Sequence, residues 1–192
     1  VDELNYLLLS GSNRIGALDF QASPTDYVPR QAQQARLADL LHAADAVERG
    51  IPLPPELDEA LRHGTSIGGA RPKAQLDDED RQLIAKFSSS RDTHNVVKAE
   101  YLAMKLAHAA GLNVAAVELA HVEGKDILLV ERFDRIKSDH GFQRKAMISA
   151  LTLLGLDENV ARYASYWEIA DLIRRYGANP RADNRELWSR ML

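Results

Sequence analysis

The residues best suited to chemistry lie in Gly64-Thr65-Ser66-Ile67-Gly68-Gly69-Ala70-Arg71-Pro72-Lys73 and at Lys86, within the apolar run Leu83-Ile84-Ala85-Lys86-Phe87. Glycines let successive backbone N–H groups turn inward around an anion, and they let the main chain approach a phosphate with no Cβ in the way. Gly68 and Gly69 are therefore candidate phosphate-cradling residues, and Lys86 is the candidate cation. The stretch is not a Walker A loop, because Gly69 is followed by Ala70-Arg71 rather than Lys-Ser/Thr, and it is not G-x-G-x-x-G. Taken alone, it reads better as a glycine turn between two strands with no ligand.

The elements that must position these residues come in an informative order. Residues 73–76, the acidic turn Asp77-Asp78-Glu79-Asp80 and residues 82–87 form a predicted hairpin that carries Lys86. A helix predicted over about 95–110 carries Glu100. Its stripe of Val97, Tyr101, Met104 and His108, widened by Leu102 and Leu106, predicts burial on a sheet. Glu100 could reach Lys86 across that interface, although composition alone favours a solvated glutamate paired on its own helix. A second hairpin, 114–122 and 127–130 around Glu123-Gly124-Lys125-Asp126, leads into Glu131-Arg132-Phe133-Asp134-Arg135. There the main chain of Glu131 to Phe133 and the Phe133 ring could hold an adenine. The alternative is a charged strand end anchored by one phenylalanine. Glycine loop, strand lysine, helix glutamate and hinge strand follow one another in the order found in protein kinases.

Thr65-Ser66-Ile67-Gly68-Gly69-Ala70-Arg71-Pro72-Lys73, Ala99-Glu100-Tyr101 with Leu106-Ala107 and Gly111-Leu112-Asn113-Val114, and Leu129-Val130-Glu131-Arg132-Phe133-Asp134-Arg135 closely resemble the HipA family of bacterial kinase toxins. Arg14-Ile15-Gly16-Ala17-Leu18-Asp19-Phe20 resembles the end of that family's amino-terminal subdomain. The resemblance implies an α+β fold: a protein-kinase-like N-lobe, with a small antiparallel sheet and a packed helix, over residues 61–135. The first helices of an incomplete C-lobe would follow over 136–192, and part of an amino-terminal subdomain with a bridging helix would precede over 1–60. It also implies ATP and Mg2+ as cofactors, with Gly68, Gly69, Lys86, Glu131 and Phe133 on the nucleotide, Glu100 paired with Lys86, and Ser66 as an autophosphorylated serine. Ser66 read on its own is a turn-forming hydroxyl.

The implied activity is that of an ATP-dependent serine/threonine protein kinase, the toxin of a toxin–antitoxin pair, which inhibits translation by phosphorylating an aminoacyl-tRNA synthetase, the glutamyl enzyme in particular. The implied partner is a HipB-like helix-turn-helix antitoxin, through which the chain meets operator DNA only indirectly. No His-x-Asp or Asp-x-x-x-x-Asn loop and no Asp-Phe-Gly occurs in the 192 residues. No catalytic or metal-binding residue is therefore assigned. The expectation is an amino-terminal portion of a longer kinase that does not itself catalyse, because phosphoryl transfer needs a positioning carboxylate and magnesium ligands. A function of a different class is a non-catalytic kinase-like module for partner binding or autorepression; a third is a stand-alone nucleotide sensor.

Composition bounds these readings. A chain 45% apolar and 27% charged is ordinary for a globular domain. It has no cysteine, which excludes disulfides and thiolate metal sites, and no apolar run near the roughly 20 residues of a membrane helix. A net charge of -4 supplies no basic field for direct nucleic-acid binding. With no secretory signal visible, a cytoplasmic location is expected. His94, His108 and His121 lack metal-ligand spacing.

The remaining segments read as follows. Residues 4–9 and 15–20 are predicted strands of a hairpin. Leu37, Leu40, Leu41, Ala44 and Val47 predict a helix over 31–49 that stops at Gly50, and Pro52, Pro54 and Pro55 mark a linker before a turn of helix at 56–61. Beyond Arg135 the chain is predicted helical over 147–154 and 163–176, with a last helix capped by Asp183 or Asn184.

Overall fold

The computed structural model describes residues 3–30, 35–65, 71–78, 80–89 and 92–191, with backbone alone for 62–65. Three helices come first: α1 (Glu3–Leu9), α2 (Leu37–Glu48) and α3 (Pro55–Thr65). The hairpin of β1 (Lys73–Asp77) and β2 (Gln82–Phe87), helix α4 (Val96–Ala109) and the hairpin of β3 (Val117–Val122) and β4 (Lys125–Glu131) follow. A ribbon of β5 (Arg135–Ser138) and β6 (Gly141–Arg144) precedes α5 (Ala150–Leu154), a 3-10 turn, α6 (Tyr166–Tyr176) and α7 (Pro180–Met191). The chain divides into two units, residues 1–105 with 115–146, and residues 106–114 with 147–192.

In the first unit the four strands pair antiparallel in the order β1-β2-β4-β3. Side chains alternate across a strand, and along β2 Leu83, Ala85 and Phe87 are buried while Gln82, Ile84 and Lys86 are half-buried. The cross-strand pairs Ala74–Ala85 and Phe87–Ile127 join Leu40, Leu41 and Ala44 of α2 and Ala60 and Leu61 of α3 in one core. Each fully buried Leu or Phe contributes about 1.5–3 kcal/mol there. Helix α2 buries Leu40, Leu41 and Ala44 because they share one helical face. It ends where Gly50 takes a φ of 69° and Ile51 N–H donates to Ala46 O at 2.9 Å, closing a Schellman turn. Glu123 and Gly124, with φ of 49° and 78°, make the tight β3–β4 turn. Asn95 Oδ1 caps α4 by accepting from Lys98 N–H at 2.9 Å.

In the second unit Ser165 and Glu168 form a capping box at the start of α6. Trp167 and Trp188 flank a cavity of about 230 Å³ between α6 and α7. Among the described residues of α5, α6 and α7, none is buried.

A mixed fold with a small antiparallel sheet is thus present, with several differences from the sequence reading. Residues 4–9 lie in helix α1 and not in a strand, and 15–20 form no strand. The second helix begins at Leu37, and positions 31–34 of its expected span lie outside the described residues. After Arg135 the chain makes the β5–β6 ribbon before any helix, and α5 starts at Ala150 rather than at 147. Helix α7 starts at Pro180, where proline's missing N–H is harmless, so Asp183 and Asn184 lie inside it and do not cap it. In α4 only Val97 is buried; Leu102 and Leu106 are exposed. Among the described residues no helix is long and apolar enough to cross a membrane.

Candidate functional site

Lys86 lies on the face of β2 that points away from the α2 and α3 core, because it alternates with the buried Ala85 and Phe87. From there its Nζ sits 2.5 Å from Glu100 Oε1 on α4. The two side chains remain 33% and 38% exposed. An ion pair so open contributes only about 0–1 kcal/mol to stability. Its main consequence is orientation: Glu100 fixes where the Lys86 ammonium stands.

Lys73 is a residue that the candidate set omitted. It pairs across the strands with Lys86, since both stand equally far from the β1–β2 turn, and the hairpin register was the signal that could have found it. Burial, and then the neighbouring Lys86 charge, lower the Lys73 pKa against the opposing pull of Glu100. Lys73 Nζ donates to Arg71 O at 3.0 Å. Two ammonium groups on one sheet face create a field that favours an anion. Arg71 is committed elsewhere, its guanidinium forked onto Asp92 at 2.8 and 2.6 Å. Gly68, Gly69 and Ser66 lie outside the described residues, and Gly64 and Thr65 belong to the end of α3 rather than to a loop.

At the hinge, Glu131 N–H donates to Ala116 O at 2.9 Å and Arg132 N–H to Gln82 O at 2.8 Å. Neither amide is free for a ligand. Among the described residues the Phe133 amide finds no acceptor, and the residue is 63% exposed. The side chains on either side of it turn inward. Arg132, Asp134 and Arg135 are buried while Phe133 is exposed, so this charged strand end is anchored by a buried ionic cluster and not by its phenylalanine. Arg132 grips both Asp134 carboxylate oxygens, at 3.0 and 2.8 Å, and Arg135 Nη1 reaches Asp134 Oδ2 at 2.7 Å. Burial alone would raise the Asp134 carboxyl, but bonds from Arg132 and the Gly16 N–H hold it below the usual carboxylate range. Burial, and then the adjacent Arg132 charge, push Arg135 down to about 10. Among the described residues no group of three His, Asp or Glu side chains is placed to hold a metal ion.

Residues 65–192 match the family described as the HipA-like C-terminal domain. The chain is 30% identical over 176 residues to "Putative kinase Y4mE" of Sinorhizobium fredii, which covers 82% of this chain and 40% of that protein. It is 29% identical over 100 residues to the serine/threonine-protein kinase toxin HipA of Shewanella oneidensis, covering 47% of this chain and 23% of that one. Among solved structures, it is similar to a chain of the Shewanella oneidensis complex of HipA, HipB and operator DNA. The TM-score is 0.63 at 21% identity, over 97% of this chain and 53% of that chain, a likeness of fold. The chain therefore spans less than half the length of these curated relatives.

Proposed function

The chain belongs to the HipA-like C-terminal domain family, and on that premise we propose that it supplies the nucleotide-binding part of an ATP-dependent serine/threonine protein kinase. Residues 61–135 are read as its kinase-like N-lobe, 136–192 as the first helices of the C-lobe, and 1–60 as part of an amino-terminal subdomain. The observation that carries this reading is the Lys86–Glu100 pair, which joins a strand to a helix and has Lys73 across from it. In this reading Glu100 orients Lys86, and the Lys86 and Lys73 ammonium groups contact phosphate oxygens. The Phe133 amide donates to the adenine edge while its ring packs on the base, and the Gly68 and Gly69 backbone covers the phosphates. Bound ATP supplies the phosphoryl group. The described residues do not by themselves fit a magnesium site, so no step is derived through the metal.

The kinase acts in the cytoplasm as the toxin of a toxin–antitoxin pair. Its target is an aminoacyl-tRNA synthetase, with the glutamyl enzyme first, and its partner is a helix-turn-helix antitoxin that carries it to operator DNA. The test uses the natural full-length polypeptide with labelled ATP. Lys86→Ala should reduce phosphoryl transfer by about a hundredfold or more while far-UV circular dichroism stays unchanged. Full transfer by that variant would refute the assignment. A wild-type protein that binds ATP and transfers nothing would establish the non-catalytic module instead.

A further inference from the structure

We propose that Arg132, Asp134 and Arg135 are positioning residues that couple the loop Asn13–Gly16 to the hinge Glu131–Phe133, so that this loop sets how firmly the hinge holds a nucleotide. The inference rests on the nucleotide reading above, and it concerns residues that no contact with the nucleotide requires.

The cluster is built mostly from two distant parts of the chain. Asn13 Oδ1 accepts from Arg132 Nη1 and from Arg135 Nη2, both at 3.0 Å. Arg14 O accepts from Arg132 Nη2 at 2.9 Å and from Arg135 Nη2 at 2.6 Å. Gly16 closes the ring: its N–H donates to Asp134 Oδ2 at 2.7 Å, and its carbonyl accepts from Arg135 Nη1 at 3.0 Å. A φ of 77° allows Gly16 to turn both groups onto the cluster, a conformation that a side chain would strain. Gln75 Oε1 also accepts from Arg132, at 3.3 Å. Two guanidinium groups are bonded to one carboxylate within the cluster, and the nearby charge of Asp77 acts on both; the loop oxygens satisfy the guanidinium N–H groups that Asp134 does not reach. Arg132 and Asp134 bracket Phe133 in sequence. Anchoring both side chains fixes the peptide planes on either side of it, and with them the direction of its amide. Opening the loop would take from Arg132, Asp134 and Arg135 the partners that Asn13, Arg14 and Gly16 supply, leaving the arginines bonded to Asp134 and Arg132 to Gln75.

The test uses the natural full-length polypeptide, with hydrogen exchange and ATP calorimetry. Asn13→Ala removes one acceptor shared by both guanidinium groups and changes no residue of the hinge. Amides of Gly16, Glu131 and Arg132 should together exchange roughly tenfold faster, the scale of one lost hydrogen bond to a charged group, while those of α2 keep their rates. The ATP dissociation constant should rise by a similar factor, and Asn13→Asp, which keeps the acceptor, should restore it. Asp134→Asn, which keeps the carboxylate's shape, should act in the same direction. Faster exchange at Gly16 alone, or an unchanged ATP constant in a chain whose loop has opened, overturns the coupling. Wild-type protein that binds no ATP refutes the nucleotide reading itself, before any variant is made.

Discussion

Replacing Lys86 and Glu100 singly and together separates a functional pair from a structural one. Glu100→Gln keeps the shape of the side chain and removes the charge 2.5 Å from Lys86 Nζ; Lys86→Ala removes the ammonium. With both side chains about a third exposed, their coupling in stability should be about 0–1 kcal/mol. For a chain of this size 1 kcal/mol corresponds to a Tm change of about 2–4 °C, so all four proteins should melt within a few degrees of one another. Nucleotide use should behave otherwise. Glu100→Gln should leave the ammonium present but unguided, with a kcat/KM for ATP intermediate between wild type and Lys86→Ala, and the double variant should be no worse than Lys86→Ala because both act on one ammonium. Urea unfolding of the four proteins and steady-state phosphoryl transfer by the full-length polypeptide measure the two quantities. A stability coupling above about 2 kcal/mol, beyond the range of exposed pairs, with undiminished nucleotide use would make the pair a fold element and refute the reasoning.

Three other outcomes are expected. The isolated 192-residue chain should bind ATP weakly or not at all, and magnesium-dependent micromolar binding in calorimetry would contradict the division of the site over a longer chain. Ser66, if phosphorylated, would place about -1.5 to -2 charges where the loop must receive nucleotide phosphates. Full-length protein incubated with ATP and magnesium should therefore lose activity as phosphate accumulates on Ser66, and activity persisting at stoichiometric modification would remove the switch. Asp126 is held down to about 2 by bonds from Lys98, His121 and Asn95. A depressed carboxylate stabilises above its ordinary pKa and loses that contribution as pH falls through the folded value, so this part of acid sensitivity should appear between about pH 4 and 2. Carboxyl chemical shifts should give Asp126 a midpoint near 2, and Asp126→Asn should remove that part; a midpoint near 4 would contradict the bonding.

The two hairpins that carry Lys86 and the hinge were legible because local signals agreed. Leu83, Ala85 and Phe87 alternate with polar or half-buried partners, and Glu123-Gly124 has the chemistry of a tight turn. Gly50 announced the end of α2. Leu4 to Leu9 failed for the reason that short apolar runs often fail: without a buried side, periodicity cannot separate helix from strand, and α1 has no buried residue among those described. The ribbon of β5 and β6 was missed because Arg135-Ile136-Lys137-Ser138 and Gly141-Phe142-Gln143-Arg144 carry little apolar alternation. The burial of Arg132 and Asp134 was not legible in Glu131-Arg132-Phe133-Asp134-Arg135, because charged residues are seldom fully buried. Their partners at Asn13, Arg14 and Gly16 lie at the far end of the sequence, and no local pattern announces them.

The most direct measurement is covalent labelling of the natural full-length polypeptide with an acyl-phosphate derivative of ATP, which acylates amines lying against the nucleotide's phosphates. Mapped by mass spectrometry, the acyl group should fall on Lys86 and Lys73, which face one another across β1 and β2, and excess ATP should abolish it. Lys98, Lys105, Lys125, Lys137 and Lys145 should remain unmodified. Labelling spread evenly over those lysines, or labelling of Lys86 that ATP does not suppress, would contradict a nucleotide site at the Lys86–Glu100 pair.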